Sequence, residues 1–187
     1  MDDIRRRTFV RGAAAGALAF TVGGVEVLLL PSEARAQKVP LKVLSATEAA
    51  RLEAVSETLV PGAREAGIAH FVDQQCSVAP HDALLGIRIG NVRPPFINFY
   101  RAALNAIDAA CQAQHGKPFA QLAAPEQTAF IATMRVNKHP DWKGPPPQGA
   151  IYGAFRADAV DVVYGTVEGF EKLGVPYMAL VAPKARW

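Results

Sequence analysis

The chain has 187 residues, 20 Lys or Arg against 17 Asp or Glu, and a net charge of +3. It is 50% hydrophobic and 20% charged, the balance of a folded protein, which excludes a disordered one. The weak positive charge argues against a nucleic-acid binder, and 2 cysteines exclude a disulfide-dense mini-protein or a thiolate-held iron–sulfur cluster.

The N-terminal segment reads as an address. It opens with Arg5-Arg6-Arg7-Thr8-Phe9-Val10-Arg11 and continues as an Ala- and Gly-rich apolar stretch to Val25. It ends at Ala34-Arg35-Ala36, the small-x-small pattern that signal peptidase accepts. Two adjacent arginines, Arg6 and Arg7, then Phe9, an aliphatic residue and Arg11 match the bacterial twin-arginine signal. The expectation is a cleaved twin-arginine signal peptide over residues 1–36 and a domain over 37–187. The alternative is a retained membrane anchor, against which Glu26 interrupts the apolar run. No later segment is long and apolar enough to span a bilayer, so the domain is expected in the periplasm. The twin-arginine route moves proteins already folded, often with a cofactor or partner in place.

The expected domain reads as helices in chain order. Ser45-Ala46-Thr47-Glu48 is a capping box, in which the serine hydroxyl and glutamate carboxylate satisfy opposite amides of the first turn. Leu52, Val55 and Leu59 continue the stripe, and Pro61-Gly62 stops it. A shorter helix is predicted over about 64–76, with Ile68, Val72 and Cys76 on one face. After an irregular stretch, Pro94-Pro95 opens a long helix whose face carries Phe96, Tyr100, Leu104, Ile107 and Cys111, ended by Gly116. A fourth begins near Pro125, and a fifth spans about 152–170 with Phe155, Ala159, Val162, Val163 and Val167 inward. The Pro/Gly-rich loop His139–Gly149 separates these two, and the tail from Gly174 is extended. With no hairpin signal read, the class is mainly α: a small single-domain bundle of about five helices.

Chemistry-bearing patterns are scarce. There is no glycine-rich phosphate loop, no C-x-x-C-H for covalent haem and no G-x-S-x-G elbow. His70, His81, His115 and His139 are not spaced as a helical metal pair and read as surface or loop histidines. Glu48, Glu57, Asp108, Asp158, Asp161 and Glu168 read as solvated helix faces. No catalytic, cofactor-binding or metal-ligating residue is assigned.

Cys76 and Cys111 each continue an apolar stripe, so the expectation pairs them as a disulfide worth about 3–4 kcal/mol by loop closure. Two buried free thiols are the alternative. Trp142 in the stiff loop, and Tyr177 and Trp187 in the tail, are candidate partner contacts, because aromatic anchors dominate many interfaces. The alternative is that both tryptophans cap this domain's own core.

A sequence of short motifs then resembles the gluconate 2-dehydrogenase subunit 3 family. They are Leu44–Ala54, the stretch Leu59-Val60-Pro61-Gly62-Ala63-Arg64-Glu65-Ala66-Gly67-Ile68, and His70–Gln75. Phe99–Leu104, Leu122–Gln127 and Thr166-Val167-Glu168-Gly169-Phe170 follow in the family's order. The resemblance implies the non-catalytic small, or gamma, subunit of an exported complex. A FAD-dependent partner of the glucose–methanol–choline type would oxidise an alcohol, sugar or sugar acid, and a c-type cytochrome with haem c would take the electrons. This chain would supply the twin-arginine signal to the translocase and assist folding, export and stability of the flavoprotein, at the outer face of the inner membrane. The alternatives are a stand-alone periplasmic binding or structural protein and an autonomous enzyme using His70 or the Trp142 loop. Two departures stand out: Glu171–Tyr177 replaces a "Y-G-G-N" stretch found in some members, and Ala123 stands where Ser is common. The first leaves gluconate unassigned as substrate; the second removes a helix cap worth about 1 kcal/mol.

Overall fold

The computed structural model describes residues 16–90 and 92–175. Arg6, Arg7, Phe9, Arg11, Tyr177 and Trp187 lie outside them. In chain order come strands β1 (Leu18–Val22) and β2 (Val25–Leu29), then helices α1 (Pro31–Ala36), α2 (Ala46–Leu59), α3 (Ile68–Ser77) and α4 (Ile97–His115). Helices α5 (Ala124–Arg135), α6 (Gln148–Tyr164) and α7 (Val167–Lys172) complete the described chain. Single 3-10 turns at Gly86–Arg88 and Phe119–Gln121 interrupt the loops. The class is mainly α, as expected, with one two-stranded antiparallel sheet among the described residues. No helix among the described residues is long and apolar enough to cross a membrane.

Local chemistry explains the helix ends. The capping box forms as read: Ser45 Oγ accepts from the Glu48 amide at 3.2 Å, and Glu48 Oε2 accepts from the Ser45 amide at 2.8 Å. Gly116 ends α4 at φ 68°, the left-handed conformation that a glycine enters without steric cost. At α5 the missing Ser is half compensated, since Glu126 Oε2 still accepts from the Ala123 amide at 2.8 Å. The expected stripe of α4 is buried throughout, with Phe96, Tyr100, Leu104, Ile107 and Cys111 all in one core with Leu52, Val55, Ile68, Val72 and Phe155.

The predicted fifth helix is two helices. Gly165 ends α6, and Thr166 caps α7 with its hydroxyl accepting from the Gly169 amide at 3.0 Å. A Cβ at Gly169 would lie 2.6 Å from Tyr164 Cα, so the last helix folds back against the end of α6 through glycine backbone. The apolar periodicity runs through the break because Val167 resumes the pattern after the turn.

The largest departure lies in the segment read as an export signal. Its apolar stretch pairs as β1 and β2 in the register Leu18↔Leu29 to Val22↔Val25. Gly23 and Gly24, both at positive φ (56° and 83°), make the two-residue turn. The turn signal was in the sequence, Gly-Gly between apolar runs, and the signal reading masked it. Ala34-Arg35-Ala36 sits inside α1, with Ala34 fully buried and Ala36 exposed. Phe20, Ala34 and Val39 form a second small core with Leu18 and Leu29. The boundary expected at residue 36 therefore falls within continuous folded structure.

Candidate functional site

A groove of about 580 Å³ runs between the hairpin and the helical body. Leu18 and Leu28 line one wall; Phe71, Gln74, Val162 and Thr166 line the other. Two glutamines from consecutive positions of α3 knit its base. Gln74 Nε2 donates to Ala19 O at 3.4 Å, Gln75 Nε2 donates to Gln74 Oε1 at 2.6 Å, and Gln75 Oε1 accepts from the Leu84 amide at 2.6 Å. Buried amides are costly unless paired, and this relay pairs them while fastening β1 and the 78–85 loop to one helix.

Beside it lies a buried acid. Asp158 on α6 is 1% exposed, accepts the phenolic proton of Tyr100 at 2.5 Å and accepts the Gly86 amide at 3.2 Å. Burial pushes its carboxyl up to about 6; the Tyr100 and Gly86 hydrogen bonds pull it back and Asp161 adds to the rise. Burial, and then Asp158 itself, pushes the Tyr100 phenol well above its usual value. The pair therefore joins α4, α6 and the Gly86 turn, with both side chains buried.

The acids read as solvated faces are largely structural. Glu57 accepts the Gly62 and Arg64 amides, both at 2.9 Å, and closes the turn after α2. Asp108 accepts the Phe119 amide at 3.0 Å and pairs with Arg51 at 2.7 Å. Glu48 adds Arg101 at 2.8 Å to its capping role. Asp73, which sequence reading passed over, accepts three consecutive amides: Lys42 at 2.7 Å, and Val43 and Leu44 at 2.8 Å each. Asp158 was legible after all, because it sits three residues after Phe155 and four before Val162, on the inward stripe.

The expected disulfide does not form, and Cys76 and Cys111 are both free. Cys76 lies by Asp158 and the Tyr100 end of α4. Cys111 is eleven residues further along that helix, about 16 Å at helical rise, and lies near Asp108. A disulfide needs Cα atoms within about 7 Å. Burial first, then neighbouring carboxylates, pushes each thiol up to about 12, so neither is a ready thiolate nucleophile.

The histidines divide. His81 is exposed beside Asp82, whereas His139 is 5% exposed and its ring centroid lies 4.5 Å from that of Phe130, tilted by 52°. Burial lowers the His139 pKa, and its Nε2 pairs with Gln114 at 3.0 Å. His70 Nε2 meets Val39 O at 3.0 Å, a tie between α3 and the stretch that leads into α2. Among the described residues no group of three His, Cys, Asp or Glu is arranged to hold a metal ion.

Trp142 turns inward rather than standing free. Its indole is half-buried against the main core, and Nε1 donates to Pro146 O at 3.1 Å within its own loop. The loop is further pinned by Gln148, which accepts the His139 amide at 3.0 Å and donates to His139 O at 3.1 Å.

No curated protein and no solved structure matches the chain. The family model for gluconate 2-dehydrogenase subunit 3 matches residues 46–181, which spans α2 to α7 and includes the buried Asp158–Tyr100 pair. The chain belongs to the gluconate 2-dehydrogenase subunit 3 family.

Proposed function

We propose that this chain is the non-catalytic small subunit of an exported, FAD-dependent dehydrogenase complex acting on a sugar, sugar acid or alcohol. In this reading it carries the twin-arginine signal formed by Arg6, Arg7, Phe9 and Arg11 for a flavoprotein partner of the glucose–methanol–choline type. It assists that partner's folding, export and stability, and the complex works at the periplasmic face of the inner membrane with a c-type cytochrome accepting electrons. The flavin and the haem belong to the partners.

The observation that carries the reading is the family match across residues 46–181. The structural roles of several acids and of the cysteines agree with it. Asp73, Glu57 and Asp158 are spent on backbone amides and a tyrosine, and both thiols are held protonated by burial. These groups hold a shape, as an assembly partner requires.

Gentle extraction of the affinity-tagged chain from its native host tests the reading. The expected result is co-purification of a flavoprotein with FAD absorbance in fixed ratio. A monomeric chain without a partner favours a stand-alone binding or structural protein. Dehydrogenase activity in the isolated chain favours an autonomous enzyme.

A further inference from the structure

The N-terminal segment is fastened to the body in a way that a disposable leader does not require. Gly67, at φ 83°, begins α3, and a Cβ there would lie 2.1 Å from Pro31 O and 2.8 Å from the Ser32 amide nitrogen. The start of α3 is therefore moulded around the first turn of α1, and any side chain at Gly67 would displace it. Gly67 lies within the family-matched stretch while Pro31 precedes it. The family domain thus carries a backbone notch that the preceding segment fills.

Other contacts secure the same join. The Ala34 side chain is fully buried against Phe20 and Val39. Arg35 pairs with Glu65 at 3.0 Å and reaches Glu53 at 3.8 Å. His70 and Gln74 of α3 bond to Val39 O and Ala19 O. Asp73, between them on the same helix, gathers the amides of Lys42, Val43 and Leu44. Of these three α3 side chains Gln74 reaches residues 16–36, through Ala19 O, while His70 and Asp73 hold residues 39–44 just beyond Ala36.

We propose that residues 16–36 are a permanent strap of the folded protein, and that the Ala36–Gln37 bond is not cut once the chain has folded. The inference rests on the export reading for the name of the segment, and on the notch at Gly67 for its retention. Proteolysis of a folded chain requires the scissile segment to open. Here Pro31 and Ala34 are buried residues of the helix that ends at Ala36, so opening it would expose Phe20, Ala34 and Val39 together. Loss of the segment would also leave the apolar surface of Phe71 and Val162 without the hairpin wall of the groove. The twin-arginine stretch would then stay attached to the exported protein.

Two measurements on the full chain test this. The first is the intact mass of the chain recovered from the periplasmic fraction; the expected mass retains residues 16–36, and an N-terminus at Gln37 overturns the proposal. The second is the melting temperature of purified full-length Phe20→Ala, which removes the large side chain of the strap's core. A fall of about 5 °C or more is expected for a buried aromatic in a domain of this size. An unchanged melting temperature means that the strap contributes nothing to the fold and overturns the proposal. If no chain reaches the periplasm, the export reading fails, and the Phe20→Ala measurement still decides the strap by itself.

Discussion

The phenol of Tyr100 donates a 2.5 Å hydrogen bond to Asp158 in the centre of the helical body, where both side chains are almost wholly buried. The carboxyl is raised from 3.8 to about 6, burial being the main cause. A carboxyl whose folded value is raised binds its proton more tightly folded than unfolded. Its stabilising contribution is therefore complete below about 3.8 and is lost as the pH climbs through about 6. The loss amounts to about 3 kcal/mol. Asp158→Asn removes the titration, so the stability advantage of the wild type over the variant is expected to shrink by up to that amount between pH 4 and pH 7. Urea unfolding at the two pH values measures it; an equal gap at both means that Asp158 titrates normally.

Asp73 makes a second, independent prediction. Its two oxygens serve three amides of residues 42–44, leading directly into the Ser45 cap. Asp73→Ala leaves those donors without their acceptor and is expected to cost about 3 kcal/mol or more, since hydrogen bonds to charged groups contribute about 1.5–3 kcal/mol each. Asp73→Asn keeps one acceptor and is expected to fall between the two. Chemical denaturation ranks the three proteins, and an alanine variant as stable as wild type contradicts the clamp.

At the other end, Gly169 has no room for a side chain against Tyr164. Gly169→Ala is expected to push α7 away from α6 at a cost of about 1–3 kcal/mol, the usual range for overpacking. Thr166→Ala removes the cap of the same helix and is expected to cost about 1 kcal/mol. Thermal melts distinguish them, the glycine variant melting lower.

The cysteines are free and their thiols are held up to about 12 by burial. Alkylation of the native chain at pH 8 is expected to be slow at both positions. Unfolding without reductant is expected to release two alkylatable thiols, read as two adducts by intact mass. A mass without adducts after such unfolding would restore the disulfide.

Where helix signals were strong and local, sequence and structure agree: the Ser45 box, the Gly116 stop and the α4 stripe were all readable because each depends on neighbours a turn away. Asp158 was misread by its polarity, although its position on the stripe of Phe155 and Val162 marked it as inward. The Cys76–Cys111 pairing failed because stripes on two helices fix the faces that meet but leave the offset along the axes open. The hairpin was missed for a different reason. Gly23-Gly24 is a turn signal only if the flanking apolar residues find a sheet partner, and their Ala- and Gly-rich setting suited a leader equally well. The clamp of Asp73 on residues 42–44 spans about thirty positions, beyond the reach of any local pattern.

In the proposed role this chain carries the address for a partner that has none. Replacing Arg6 and Arg7 together by Lys removes the arginine pair of the signal while keeping its charge. Fractionation of cells carrying that variant, with immunodetection of this chain and of the partner flavoprotein, tests the claim most directly. The expected result is that both proteins are held in the cytoplasm and that periplasmic dehydrogenase activity is lost. A flavoprotein that still reaches the periplasm without this chain would contradict the escort role.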